Sequence, residues 1–218
     1  MKKVLILVTT VLSVCVTALG QENYQSGTAS QTSETPSVKK CNDWNNVYVQ
    51  WNPSALVPEK GDSKSFTGFS IGFESCSSFA PKKASPFYGE FGAGFQYSFD
   101  STNGADFSMY AGKLNIGVGY AIAIPNTSLA LMPHAGIGYS WIFSAKTKID
   151  GKTIDHFDKD DMGGEDYKWD NMPIGWYAGL KANISNKVVI GATYGMDFTK
   201  ITKGVRIRTI SVSVGYCF

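Results

Sequence analysis

The stretch VRIRTISVSVGYCF, residues 205–218, alternates along most of its length. Ile210, Val212, Val214, Tyr216 and Phe218 fall on one side of an extended chain, and Ser211, Ser213, Gly215 and Cys217 fall on the other. A period of two is the signature of a β-strand. What separates this strand from an ordinary half-buried one is its second face. That face is small and polar rather than charged, while the apolar face ends on two aromatic rings.

Seven further segments carry the same pattern, which predicts strands at roughly 45–52, 65–75, 87–99, 107–121, 128–145, 173–184, 187–199 and 205–218. Phe69, Ile71 and Phe73 oppose Gly68, Ser70, Gly72 and Glu74, and Phe91, Phe95, Tyr97 and Phe99 oppose Tyr88, Glu90, Gly92, Gly94 and Gln96. In the fourth segment Tyr110, Leu114, Ile116, Val118 and Tyr120 face away from Ala111, Lys113, Asn115, Gly117 and Gly119. A soluble sheet buries its large residues and exposes charged ones. Here the face opposite the large residues is Gly, Ser, Asn and Gln with isolated charges, the inside-out arrangement of a barrel whose outer wall meets lipid. The predicted fold is all-β, a single eight-stranded antiparallel transmembrane β-barrel. An even strand count puts both ends of the barrel on one side. The outer loops are then 53–64, 100–106, 146–172 and 200–204, the inner turns 76–86, 122–127 and 185–186. Tyr120, Trp141, Phe143, Trp176, Phe198, Tyr216 and Phe218 lie near strand ends, where aromatic girdles belong.

Upstream, Lys2 and Lys3, the apolar run Val4–Val16 and Ala18-Leu19-Gly20 form a secretory signal over 1–20, too short to be kept as a spanning helix. Residues 21–44 are polar and Ser/Thr-rich, an expected disordered periplasmic segment, and 45–218 is the barrel. A net charge of +2 without a basic patch argues against nucleic acid. Three cysteines remain after the signal, all near the inner rim. One disulfide, from Cys41 to either Cys76 or Cys217, and three separate thiols are both open readings. Their spacing does not suit zinc, and no metal or cofactor is expected.

The signal, the run PFYGEFGAGFQYSF at 86–99, LNIGVGYAI at 114–122 and SVSVGYCF at 211–218 resemble the small outer-membrane β-barrels of the OmpA/OmpX type, in particular the porin-like branch. The resemblance spans about 45–218 and implies a place in the outer membrane of a diderm bacterium, with a periplasmic N-terminus. It also implies that the last strand, ending in Tyr216 and Phe218, is recognised by the barrel-assembly machinery. Activity does not follow from it, because such barrels host adhesins, structural proteins and lipid-acting enzymes.

Two regions carry candidate chemistry. Inward parity collects Glu74, Glu90, Lys113, His134, Lys181 and Asp197, charges of both signs in a lumen just wide enough for side chains to fill. Buried charges need partners, so a salt-bridged plug is expected; a narrow channel is the alternative, favoured by open volume over the glycines. His134 faces the lumen at the wrong depth for a lipid-acting Ser–His–acid set, and no nucleophile motif occurs. Outside, Lys200, Lys203, Arg206 and Arg208 offer contacts to lipopolysaccharide phosphates. Loop 146–172 is dense in acids and carries Phe157, Tyr167 and Trp169, which hint at contact with another surface or packing onto the rim. Asp158–Gly163 begins like a calcium loop but has Met162 and Trp169 where ligands belong, which excludes an EF-hand and leaves weak divalent binding. The expected function is a structural or surface-interaction role for a monomer, in contact with outer-membrane lipids and lipopolysaccharide, rather than an enzyme.

Overall fold

The computed structural model describes residues 44–79, 85–102 and 104–218. The signal, nearly all of the polar segment, Cys41, and Lys82 and Lys83 of the first inner turn lie outside the described residues. The strands are β1 (Asn46–Trp51), β2 (Ser54–Pro58), β3 (Lys64–Ser78), β4 (Phe87–Thr102), β5 (Ala105–Tyr120), β6 (Ile122–Ala123), β7 (Leu129–Ile149), β8 (Lys152–Asp155), β9 (Ile174–Ile184), β10 (Val188–Asp197) and β11 (Val205–Cys217). Among the described residues one short helix, α1, covers Lys159–Met162.

All pairings are antiparallel, and β1 pairs both β3 and β11, so the sheet closes on itself. β1 and β2 form one stave. Both pair with β3 and with β11, in an unbroken register. With β6 and β8 as short additions on β7, the ring has eight staves. Among the described residues the ladder closes into a ring, so strands pair on both sides, which is the condition for crossing hydrocarbon with strands.

The expected outer loop 53–64 is corrected here, because the stave runs on to Pro58. Pro53 reads as a strand end since it cannot donate to a ladder. Its carbonyl still accepts, from the Ile210 N–H at 2.9 Å, and the Asn52 N–H reaches the Gly68 carbonyl at 2.8 Å. Loop 146–172 is also corrected. β7 continues to Ile149, turns back into β8, and only then leaves the sheet. β7 has 21 residues, whereas a tilted strand needs about 9–11 to cross the hydrocarbon. β7 therefore projects well past the span on the long-loop side.

The expected facing holds. Ile116 is 66 % exposed, Ile71 63 % and Val49 61 %, while their sequence neighbours Asn115, Ser70 and Gln50 point inward. A bulge preserves this facing in β7. Ala111 pairs with Ile142 and Tyr110 with Ser144, so Phe143 is an extra residue, turned outward, its ring 6.1 Å from Phe95. Beyond it Ala145 takes the inward place.

The turn between β9 and β10 has Ser185 at φ +56° and Asn186 at φ +55°, closed by the Lys187 N–H on the Ile184 carbonyl at 3.1 Å. Two positive φ angles make a type I′ turn, which asparagine adopts at lower cost than serine. Ser185→Asn should stabilise the barrel by about 0.5–1 kcal/mol, read as a higher urea midpoint at unchanged slope.

Candidate functional site: the layered lumen

The inward side chains form three layers. At the short-turn end lies an apolar floor of Trp44, Cys76, Tyr88, Ala130, Met132, Val189 and Cys217. Trp44, just before β1, is fully buried there. The Asn46 amide donates to its carbonyl at 2.9 Å and holds it in place.

Above the floor is the charged layer. Lys181 Nζ donates to Glu74 Oε1 at 2.6 Å and to Glu90 Oε1 at 2.7 Å, and His134 Nδ1 meets Glu90 Oε2 at 3.0 Å. His134 Nε2 faces Thr193 Oγ1 at 3.4 Å. Going round the ring from β3 through β4, β5 and β7, β9 is the fourth neighbour, so the Glu74–Lys181 pair joins diametrically opposite staves. Four of the six predicted lumen charges meet in this one network. Lys113 and Asp197 do not join it; with Gln50, Asn115 and Ser213 they line a cavity that Glu74, His134 and Lys181 line as well.

Parity reasoning named the charges and missed the rings between them. Tyr48 and Tyr177 are inward, and the glycines expected to leave open volume are the recesses that receive them. A Cβ on Gly72 would stand 2.6 Å from the Tyr48 hydroxyl, and one on Gly136 2.5 Å from that of Tyr177. The signal lay in register. Tyr48 shares the parity of Gln50, and Tyr177 that of Lys181.

Glu74, Cys76 and Glu90 bring donor atoms within 4.8 Å of one another and could hold a cation. The Lys181 ammonium bonds both carboxylates of that set and supplies the positive charge itself. Cys217 is buried in the same floor as Cys76.

The roof lies at the long-loop end. Phe66, Phe107, Met109, Ala111, Ile142, Ala145 and Ile207 project from the staves, and Trp169 and Ile201 reach in from loops. Trp169, expected to contact a surface or the rim, is 5 % exposed against Phe107 at 6.0 Å and His156 at 4.4 Å. The Asp170 N–H donates to the Ile201 carbonyl at 2.6 Å and ties the two loops together. Tyr167 stays outside, with the Lys203 ammonium 5.7 Å over its ring.

The calcium-like start of Asp158–Gly163 is a capped helical turn. Asp158 Oδ1 accepts from the Asp160 N–H at 2.9 Å, and Gly163 ends the turn at φ +79°. An acid at the start and a glycine at the sixth place are what capping requires, and here they serve it. Neighbouring acids are engaged as well, Asp155 by Lys146 at 3.6 Å and Glu165 by Lys168.

Of the four outer bases, Lys200 bonds Glu59 at 2.6 Å and Lys203 bonds Asp166 at 3.2 Å. The Lys200 hydrogen bond holds the Glu59 carboxyl below its ordinary range, and Asp166 holds the Lys203 ammonium above its own. Arg206 and Arg208 stand at the loop end of β11 on the side opposite inward Ile207, and Arg208 is exposed.

A closed eight-stave ring with an apolar outer wall and a charged lumen is the fold of the small outer-membrane β-barrels. Among solved structures the chain is similar to Ail, the attachment invasion locus protein of Yersinia pestis, at 16 % identity and a TM-score of 0.50, covering 80 % of this chain and 97 % of that one. It is also similar to Neisserial surface protein A, at 14 % identity and a TM-score of 0.49, with the same coverage of both chains. No protein-family description matches the chain. No curated protein matches it.

Proposed function

We propose that the protein is a non-conducting barrel of the bacterial outer membrane with a structural or surface-interaction role. The observation that carries the reading is the Glu74–Lys181–Glu90–His134 network, which ties opposite staves across the lumen between an apolar floor and an apolar roof. An open pore would need that cross-section hydrated and unblocked. His134 spends Nδ1 on Glu90, and among the described residues no serine is hydrogen-bonded to it, which supports a structural rather than a catalytic role. The N-terminus is periplasmic in this reading, so that the long, acid-rich connection between β7 and β9 faces outward. Arg206 and Arg208 are the bases left to meet lipopolysaccharide phosphates, since Lys200 and Lys203 contact the protein's own acids. A bond from Cys41 to Cys76 or Cys217 would pin the N-terminal segment to the floor.

Planar-bilayer recording on the purified chain tests the central claim. The expected trace is flat at applied voltages that open porins. Reproducible single-barrel current steps would replace the plug by a channel. Orientation is tested on intact cells, where added protease should cleave between β8 and β9.

A further inference from the structure

The roof hangs on one histidine. His156 follows β8, and its ring is wedged between Trp169 (4.4 Å between centroids, tilted 34°) and Phe107 (5.9 Å, edge-on). Its backbone is locked from both sides. The His156 N–H donates to the Ala145 carbonyl at 3.0 Å, and its own carbonyl accepts from the Trp169 N–H at 2.8 Å. Nε2 meets Thr147 Oγ1 at 2.8 Å. Nδ1 is shielded from solvent and finds no hydrogen-bonding partner among the described residues.

That arrangement suits a neutral imidazole and opposes an imidazolium. A neutral ring needs one donor bond, which Thr147 can satisfy, and can leave its other nitrogen bare against the rings. A charged ring must donate from both nitrogens, and the second N–H would be buried without an acceptor, at a cost of the kind buried unsatisfied donors carry.

The surrounding charges do not rescue the cation. Asp155, next in sequence, is the nearest acid, but its carboxylate already takes the Phe157 N–H at 3.0 Å and the Lys146 ammonium at 3.6 Å. Lys64 on β3 and Asp100 on β4 line the same crevice as His156, and the Lys64 ammonium opposes a second positive charge there. From the neighbouring segments, Asp161 accepts the Asp155 N–H, Asp106 bonds Ser101, Asp170 bonds the Met172 N–H, and Lys168 bonds Glu165. Burial, with Lys64 adding to it against Asp155, lowers the His156 pKa from its ordinary value.

We propose that His156 is an acid-sensitive latch on the roof of the lumen. Neutral, it holds Trp169 over the cavity; protonated, it releases the segment 156–170 from the Phe66–Phe107–Ile201 cluster and opens the long-loop end. The sign follows from linkage. A histidine whose folded-state pKa is depressed stabilises the closed roof fully above the unfolded value near 6.5, and that contribution is lost as pH falls through the folded value. The floor and the Glu74–Lys181–Glu90 ties lie outside the moving segment, so opening exposes the cavity without unplugging the barrel.

The test is amide hydrogen exchange on the full chain folded in detergent micelles, corrected for the intrinsic pH dependence of exchange. Protection of the Trp169 and Asp170 amides should fall by up to about tenfold per pH unit as pH drops from about 6.5 towards the lower closed-state value of His156, and level off below it, while β9 and β10 amides hold steady. His156→Gln keeps a polar end to reach Thr147 and cannot be charged, so its roof should stay protected down to pH 5. Roof protection that ignores pH in the parent, or falls equally in His156→Gln, overturns the proposal. Should His156→Gln fail to fold, titration of the His156 ring by NMR in the parent decides, and a midpoint above 6.5 refutes the latch.

Discussion

Lys181→Met should destabilise the barrel by about 3–5 kcal/mol, the cost of stranding a buried charge by removing its partner. Lys181 is 5 % exposed, and its ammonium is the shared donor to two carboxylates that approach from β3 and β4. Methionine fills a similar volume and supplies no donor. Glu90, itself 5 % exposed, would keep only the His134 contact, and the Glu74 oxygen that Lys181 bonds would keep only the weak thiol donor of Cys76 at 3.5 Å. Two like charges then face each other, with carboxylate oxygens within 4.8 Å. The companion variant, Lys181→Met with Glu74→Gln and Glu90→Gln, removes the stranded charges and should recover most of the loss, because replacing a whole buried ionic set is far milder than breaking it. The measurement is the denaturant midpoint in lipid vesicles, followed by the gel mobility shift between folded and unfolded barrel. A loss under about 1 kcal/mol in Lys181→Met, the range of an exposed ion pair, would show a hydrated lumen in place of a plug.

The alternation in the chain was enough to read the ring and the facing, because side-chain period and sheet face are the same geometric fact. Other features were invisible for identifiable reasons. Pro53 looks like the end of a strand because its missing N–H is visible in the sequence, while the carbonyl that still accepts from Ile210 is not. The glycines at 72, 94, 117 and 136 look like empty space, and only the cross-lumen register reveals that Tyr48 and Tyr177 occupy it. The pairing of Lys181 with both Glu74 and Glu90 spans 107 and 91 positions of chain and is set by ring closure, which no local pattern encodes. Trp169 and His156 belong to a connection with no period at all. Their place in the roof depends on how a loop folds back over side chains from β3, β5 and β11. Acid spacing in that connection begins like a calcium loop, and the same spacing caps a helical turn.

Ile116→Arg should cost about 2–4 kcal/mol in a bilayer, the penalty for a cation at mid-depth on the lipid face of a barrel. Ile116 is the most exposed of the large apolar side chains, and its cross-strand partners Phe91 and Ile137 are exposed with it. In water such a patch would be a liability; against hydrocarbon it needs no cover. The penalty should fade with depth, so Ile122→Arg, on β6 at the short-turn end, should cost about 0–1 kcal/mol. The face matters as much as the depth. Asn115, adjacent in sequence, points into the lumen beside the cavity, and Asn115→Ser should change stability by less than about 0.5 kcal/mol. The three variants together separate a lipid wall from a soluble one by equilibrium unfolding in vesicles. A soluble sheet with that side turned to water would accept arginine at Ile116 at no cost and show no gradient from Ile116 to Ile122. Equal stability of Ile116→Arg and the parent chain would therefore take the outer wall out of the hydrocarbon.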